Sequence, residues 1–258
     1  MTDDSTTMQI LHITDPHLYA EADGELRSVR TAESLAAVLR AACGEAGPYA
    51  VLVTGDIAQD ESRGAYERFR DLLAGCGAPV WCLAGNHDDP ALMTEVLAET
   101  PFTFGGIVHA GAWRVHLLST WAEGEVGGRL SAEALAAVEA DLTAHADAPA
   151  LVCLHHHPVP VGSRWLDGIG LAEPDGLLQL ADRHTQVRGI VWGHVHQELD
   201  RRRNHCRLLA TPSTCRQFMP RRDEFAVDDR PPAWRWLELG ADGSLDTRLR
   251  WLERGARP

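Results

Sequence analysis

Residues 8–17 read Met-Gln-Ile-Leu-His-Ile-Thr-Asp-Pro-His, a mostly apolar run that ends in two polar side chains, Asp15 and His17. Runs of about four to eight apolar residues bounded by Gly, Pro or Asp are typical of buried strands. Comparable runs follow at intervals along the chain, at residues 50–54, 79–83, 113–118, 150–154 and 187–192. The sequence therefore predicts a series of buried strands beginning near residue 8.

Amphipathic segments separate these runs. Apolar residues recur at helical spacing in residues 35–42 and 66–73, a pattern that predicts helices with one buried face. Ser131, ahead of a further segment of this kind, and Asp89, ahead of Pro90, are residue types that favour helix N-termini. Strands that alternate with helices indicate an α/β fold with a substantially parallel sheet.

The rhythm changes after residue 192. Residues 206–210, 233–239 and 244–250 read as strands without helices between them, and residues 221–232 read as a charged, proline-rich loop. We expect this part of the chain to complete a sheet in a mixed or antiparallel fashion. We interpret residues 1–258 as a single domain, with residues 1–7 as a disordered tail.

Composition and charge limit the classes of partner. Apolar residues make up 45% of the chain and charged residues 24%, which is ordinary for a globular protein. No run approaches the roughly 20 apolar residues that span a bilayer, so we expect no membrane partner. A formal net charge of −13 is a poor match to a long nucleic acid, whose phosphates must be bound by cationic side chains. The oligomeric state is left open.

The polar N-terminus and the cysteines predict a cytoplasmic location. The first residues are acidic and polar, unlike the basic and then apolar layout of a secretion signal. The six cysteines form no Cys-x-x-Cys pair, so we interpret them as reduced thiols.

Five of the predicted strands end in side chains that commonly bind metals. Because ligands of α/β proteins bind beyond the carboxyl ends of the strands, we expect these side chains to converge. Carboxylate, amide oxygen and imidazole together suit Mn²⁺, Fe²⁺ and Zn²⁺. The candidates are Asp15 and His17, then Asp56, then Asn86 with His87 and Asp88, then His155, His156 and His157, and finally His194 and His196.

The spacing of these residues suggests two ions. In extended backbone, residues i and i+2 point the same way, so Asp15 with His17, and His194 with His196, can each direct two ligands to one place. Asp56 can bridge two ions through its two carboxylate oxygens. The first ion is assigned to Asp15, His17, Asp56 and His196, and the second to Asp56, Asn86, His155 and His194.

Each motif alone has an ordinary structural interpretation. An isolated Asp-x-His or His-x-His pair is common in cores, and Gly55-Asp56 alone is a typical turn. Five such motifs in this order, each at the end of a strand, favour a metal site instead. A binding scaffold that had lost catalysis would be expected to lack some of these ligands, and a nucleic-acid binder would need a basic and aromatic patch.

The motifs resemble those of the calcineurin-like metallophosphoesterase superfamily. The match covers most of the chain and runs through Asp15-x-His17, Gly55-Asp56, the Gly-Asn-His-Asp motif at 85–88, His155-His156 and the Gly-His-x-His motif at 193–196. Within the superfamily, the chain is similar to the bacterial class III cyclic-AMP phosphodiesterases. That similarity includes residues 155–162, 165–167, 193–200 and 210–218.

The resemblance implies a four-layer αββα sandwich with a dinuclear metal site at the C-terminal edge of the sheets. It implies that the metal ligand of the His-His-x-Pro motif is His155, and that His156 lies on the substrate side. It also implies that Asn86 and His87 contact the phosphate together with His17, that His87 and Asp88 are catalytic, and that Asp88 orients His87. The expected metals are iron, manganese or zinc, with iron or manganese favoured.

The implied reaction is hydrolysis of 3′,5′-cyclic AMP to 5′-AMP by a hydroxide that bridges the metals. Two ions about 3.5–4 Å apart lower the pKa of a shared water. His87 would act as general acid. The alternative is a metallophosphoesterase that acts on another phosphodiester, such as a 2′,3′-cyclic nucleotide, an aryl diester or a lipid-derived diester, because a fold and its metal centre do not by themselves set the substrate.

Overall fold

A computed structural model describes residues 7–44 and 47–253. Of the tail predicted at residues 1–7, all but Thr7 lies outside the described residues. The strands in chain order are β1 (Met8–Ile13), β2 (Glu25–Leu26), β3 (Val29–Arg30), β4 (Ala50–Thr54), β5 (Val80–Leu83), β6 (Phe102–Phe104), β7 (Gly106–Ala110), β8 (Trp113–Leu117), β9 (Gly128–Arg129), β10 (Ala150–Cys153), β11 (Leu171–Ala172), β12 (Val187–Trp192), β13 (Leu199–Arg203), β14 (Cys206–Ala210), β15 (Gln217–Phe218), β16 (Val227–Asp228), β17 (Ala233–Leu239) and β18 (Leu245–Trp251). The helices are α1 (Thr31–Cys43), α2 (Arg63–Leu73), α3 (Pro90–Val96), α4 (Ala132–Ala144), α5 (Arg164–Asp167) and α6 (Asp175–Arg183), with a 3₁₀ turn at Ala74–Cys76.

The main strands form two six-stranded sheets. The first has the order β18-β17-β1-β4-β5-β6 and the second β13-β14-β12-β10-β8-β7. Strands β1, β4, β5 and β6 are parallel, and so are β8, β10, β12 and β14, whereas β7, β13, β17 and β18 pair antiparallel. The mixed completion predicted for the C-terminal part is therefore confirmed, with β14 in one sheet and β17 and β18 in the other.

Three apolar cores separate four layers. Helices α1 to α3 cover the first sheet and α4 to α6 cover the second. A third core, which includes Ile10, Leu52 and Trp113, lies between the two sheets. In β1, Leu11 and Ile13 face the helices while Ile10 faces the other sheet, and burial on both faces explains the continuous apolar run. The predicted αββα sandwich is confirmed.

Three edge strands of the two main sheets were not predicted: β6, β7 and β13. β13 contains Asp200 and three arginines, and much of it is exposed. β7 is also largely exposed. Strands with so little buried surface carry no apolar run by which the sequence could identify them. No helix within the described residues is long and apolar enough to cross a bilayer.

The fold brings five loops to one edge. β1, β4 and β5 lie side by side in the first sheet, and β10 and β12 are neighbours in the second. The predicted metal ligands follow the carboxyl ends of these five strands, where parallel strands of a sheet end together.

Candidate metal centre

The backbone turns sharply at most of the predicted ligands. The φ angles are positive at five of them: Asp15 (51°), His17 (49°), Asp56 (51°), His194 (65°) and His196 (47°). The expectation that extended backbone directs each i, i+2 pair is therefore wrong. Residues other than glycine adopt this left-handed conformation at a cost of about 1–3 kcal/mol, and such residues cluster at functional sites. The tight turns bring the ligands back over the ends of their strands.

One group of donor atoms surrounds His17. Its Nε2 lies 3.1 Å from Nε2 of His196 and 3.7 Å from Oδ2 of Asp56. Nε2 of His196 lies 3.5 Å from Oδ1 of Asp15. These are the four residues assigned to the first ion. Their donor atoms converge although the residues come from loops far apart in the chain.

A second group surrounds His155. Its Nε2 lies 3.4 Å from Oδ1 of Asp56 and 3.2 Å from Oδ1 of Asn86. The His194 ring lies next to it, with the ring centroids 5.0 Å apart. Asp56 thus presents Oδ2 to the first group and Oδ1 to the second. This arrangement is the one that a carboxylate bridging two ions requires.

Backbone carbonyls determine which ring nitrogen each histidine presents. Nδ1 of His155 donates to the Thr54 carbonyl (2.7 Å), and Nδ1 of His196 donates to the Arg216 carbonyl (2.5 Å). With Nδ1 of each ring bonded to a carbonyl, Nε2 is the nitrogen that the ring presents to the donor groups. His194 is held the other way, because its Nε2 donates to the Ile169 carbonyl (3.1 Å) and leaves Nδ1 free. Such hydrogen bonds fix the tautomer of metal-binding histidines.

Burial sets the charge of these groups. It lowers the pKa of His17 to about 3 and that of His194 well below 6.5, so both rings are neutral. Burial alone would raise the pKa of Asp15 and Asp56, but neighbouring imidazoles hold both below the usual value. Neutral imidazole and ionised carboxylate are the forms that bind metals.

The pKa of His155 indicates whether this set of donor atoms suits a cation. Burial alone would lower its pKa, but the adjoining Asp56 carboxylate raises it to about 9. Without a metal, His155 therefore holds a proton beside Asp56, and a bound cation would replace that proton. The Nε2 atoms of His17 and His196 also face each other at 3.1 Å. The residues fit a pair of metal ions.

His87 lies at the open side of this cluster. Its backbone N–H donates to Oδ1 of Asp56 (2.9 Å), and its ring makes an edge contact with the His17 ring at 5.1 Å. Nδ1 of the ring is 3.2 Å from Nε2 of Gln59. Gln59, three positions after Asp56 in the chain, was not identified as a site residue from the sequence.

Asp88 does not orient His87, so that expectation is wrong. Its carboxylate accepts hydrogen bonds from the backbone N–H groups of Ile57, Ala58 and Gly85 and from the Tyr66 hydroxyl. Side chains of consecutive residues point in different directions, and this one points into the protein. Asp88 instead ties the loop after β4 to the loop after β5.

His156 is buried, and both of its ring nitrogens have partners. Nε2 donates to the Val126 carbonyl (3.1 Å), and Nδ1 lies 2.8 Å from Oγ1 of Thr120. The ring is 0% exposed. This geometry does not support the substrate contact expected for His156. It connects the segment next to His155 with residues 120–126.

The stretches that carried the narrower resemblance support the ligands. The Ser213 hydroxyl donates to the Asp15 carbonyl (2.7 Å), and the Phe218 ring stacks on the His196 ring at 4.0 Å. The Asp167 carboxylate accepts from the backbone N–H of Val161 (2.7 Å), in the segment after the three histidines. A hydrogen bond to a backbone carbonyl or a stacking contact between two rings cannot be recognised as a motif in the sequence.

Curated relatives cover nearly the whole chain. The 3′,5′-cyclic adenosine monophosphate phosphodiesterase CpdA of Pseudomonas aeruginosa is 41% identical over 93% of this chain and 88% of its own length. CpdA of Escherichia coli K12 is 41% identical over 95% of this chain and 90% of its own. A 3′,5′-cyclic-nucleotide phosphodiesterase of Nostoc is 33% identical over 94% of this chain and 91% of its own.

Solved structures share the fold at low sequence identity. A dimetal phosphatase from Danio rerio superimposes with a TM-score of 0.66 at 16% identity, covering 95% of this chain and 99% of that one. The purple acid phosphatase of yellow lupin gives 0.67 at 16%, covering 98% and 53%. The model of the calcineurin-like phosphoesterase family matches residues 8–198. This chain therefore belongs to the calcineurin-like phosphoesterase family.

Proposed function

We propose that this protein hydrolyses 3′,5′-cyclic AMP to 5′-AMP. The observation that carries the chemistry is the position of Asp56, whose two carboxylate oxygens face two separate groups of donor atoms. The named activity of the CpdA relatives, at 41% identity over almost the full chain, supports cyclic AMP as the substrate.

In the proposed site, Asp15, His17, Asp56 and His196 hold one metal ion, and Asp56, Asn86, His155 and His194 hold the other. Bound at this place, two cations supply Lewis-acid activation of water and neutralise charge on the phosphate. Donors that combine carboxylate and amide oxygens with imidazoles favour iron or manganese, with zinc as the other candidate.

His87 has a separate role in the proposal. Its backbone is anchored to Asp56, and its half-buried ring is held at Nδ1 by Gln59. The remaining nitrogen, Nε2, donates a hydrogen bond or a proton to the phosphate or to the departing ribose 3′ oxygen. Asn86 and His17 contribute to the surface on which the phosphate binds. Asp88 acts through the loop backbone that it connects.

The wider proposals concern the whole chain. We propose that residues 1–258 form one domain that works in the cytoplasm on a small-molecule substrate. The continuous packing of four layers across the described residues supports a single domain, and the excess of acidic residues argues against long nucleic acids as partners.

The test is Asp56→Ala, measured by metal analysis and by release of 5′-AMP from cyclic AMP on the same sample. We expect the loss of at least one equivalent of metal and of nearly all activity, because the carboxylate that bridges both groups is removed. Asp147→Ala, at an exposed position, is the matched control and should behave like the wild type. Two metals and normal turnover in the Asp56 variant would refute the assignment.

A further inference from the structure

A cavity adjoins the second group of donor atoms. It has a volume of about 480 Å³, and its lining includes Asn86, Trp121, Val126 and the acidic residues Glu61, Asp88, Asp89, Glu123 and Glu125. Asn86 belongs both to this cavity and to the donor group, because its Oδ1 lies 3.2 Å from Nε2 of His155. A molecule whose phosphate meets the metals can therefore extend into the cavity.

The charge of the cavity indicates which part of a substrate enters it. Glu61, Asp89 and Glu123 place carboxylates along its wall, and the chain has a formal net charge of −13. Carboxylates repel a second phosphate, but they accept hydrogen bonds from amino and hydroxyl groups. The cavity therefore suits the uncharged part of a phosphodiester.

Trp121 supplies an aromatic surface to this cavity. It is partly exposed and begins a loop, residues 121–127, in which Glu123 and Val126 are also exposed. Aromatic side chains stack on any nucleobase, because every base has a π-face. An indole next to hydrogen-bond acceptors is a suitable surface for a purine ring.

A second aromatic cluster near the metals is already occupied by protein. Phe218 stacks on His196 at 4.0 Å and makes edge contacts with Trp165 (5.3 Å) and Phe225 (5.2 Å). The Arg27 guanidinium covers the Phe225 ring at 4.4 Å. Phe218 is packed against His196 and two other rings, whereas Trp121 lines the cavity together with Asn86, so Trp121 is the better candidate for a base.

His156 holds the 121–127 loop in place. Its ring nitrogens bond to the Val126 carbonyl and to the Thr120 hydroxyl, and the ends of the loop are joined by the Arg129 N–H, which donates to the Thr120 carbonyl (3.0 Å). The cavity wall is thus fixed before a ligand arrives, which lowers the entropic cost of binding.

We infer that this cavity binds the nucleoside half of the substrate, with the base stacked on Trp121, and that this determines the preference for a cyclic nucleotide over smaller diesters. The inference rests on the proposed hydrolysis of cyclic AMP. His156 is a positioning residue in this arrangement, because it acts through the loop and not on the substrate.

The experiment compares Trp121→Ala, Trp121→Phe and the wild type on two substrates. These are 3′,5′-cyclic AMP and its base-free analogue, ribose 3′,5′-cyclic phosphate with hydrogen in place of adenine. In Trp121→Ala we expect KM for cyclic AMP to rise between about 5-fold and about 150-fold, the range for loss of one base–aromatic stack. Its kcat and its KM for the base-free analogue should stay within about twofold. Trp121→Phe should recover most of the loss.

Adenosine provides a second measurement. It has no phosphate, and we expect it to inhibit the wild type competitively against cyclic AMP and less strongly in Trp121→Ala. Phe225→Ala tests the other aromatic cluster and should leave KM unchanged.

The inference is overturned if KM for cyclic AMP is unaffected in Trp121→Ala, if adenosine does not compete in the wild type, or if Phe225→Ala produces the rise in KM instead. These results leave the proposed function intact. A wild-type protein that hydrolyses other diesters but not cyclic AMP would overturn both.

Discussion

The hydrogen-bond partners of the two ring nitrogens determine whether each histidine can present a nitrogen to the donor groups. His155 and His196 present Nε2 to the donor groups because their Nδ1 atoms are bonded to backbone carbonyls, whereas His156, beside His155, has both nitrogens bonded to protein. The sequence His-His-His at 155–157 cannot distinguish these cases. Residue type identifies a candidate ligand, and the bonded nitrogen selects among candidates.

His87 is the residue at which metal binding and catalysis can be separated. We expect His87→Ala to retain both metals and to lower kcat for cyclic AMP by about 10²–10⁴-fold, the usual contribution of a general acid. Steady-state kinetics with metal analysis checks this. His109→Ala, at an exposed position in β7, should change neither quantity. Unchanged kcat in the His87 variant would remove it from the mechanism.

Among the elements, the turns that follow the strands shape the site. After β4 the chain turns through Gly55 at φ 97° and Asp56 at φ 51°, and after β5 it passes through Gly85. A Cβ added at Gly85 would lie 2.1 Å from Oδ1 of Asp56 and 2.6 Å from Cε1 of His155. No side chain fits there, so this glycine lets the two loops approach each other.

Gly85→Ala should therefore damage the metal centre directly. We expect loss of metal and of activity, and a decrease of about 1–3 kcal/mol in the free energy of unfolding, as for other overpacked sites. Gly75→Ala is the matched control, because a Cβ there meets nothing within 4 Å. Metal analysis and urea denaturation measure both effects. A Gly85 variant with two metals and normal stability would contradict this close approach.

At the scale of the whole molecule, burial of neutral histidines should make stability depend on pH. His116 of β8 is 0% exposed, and burial lowers its pKa to about 4 even though Asp141 lies 3.3 Å away. The folded pKa is below the value of 6.5 that applies to an exposed ring. The contribution of neutral His116 to the free energy of unfolding is thus complete above pH 6.5 and is lost as the pH falls towards 4.

His116→Gln removes this titration. Between pH 7 and pH 5 the wild type should lose about 2 kcal/mol more free energy of unfolding than the variant. Urea denaturation of both proteins at the two pH values measures the difference, and the other titrating groups cancel because they are common to both. Equal losses would show that His116 does not titrate in this range.

The sequence alone determined the fold class and the residue types of the site. Continuous apolar runs such as Met8–Ile13 predict strands buried on both faces, since hydrophobic periodicity is a local property of the chain. The Asp, Asn and His residues after those runs predict a metal site, because the ends of parallel strands meet. Both predictions rest on interactions within a few residues and on general sheet geometry.

Only the tertiary structure decided how the ligands are aimed. The left-handed turns at Asp15 and His194 replace the extended backbone that the spacing suggested, and the Asp88 carboxylate bonds to loop N–H groups instead of His87. The backbone carbonyls of Thr54 and Arg216 determine which nitrogen His155 and His196 present. Every residue has a backbone carbonyl, so these contacts carry no sequence signal. The contact between His17 and His196, which lie 179 residues apart in the chain, arises only when the two sheets pack together.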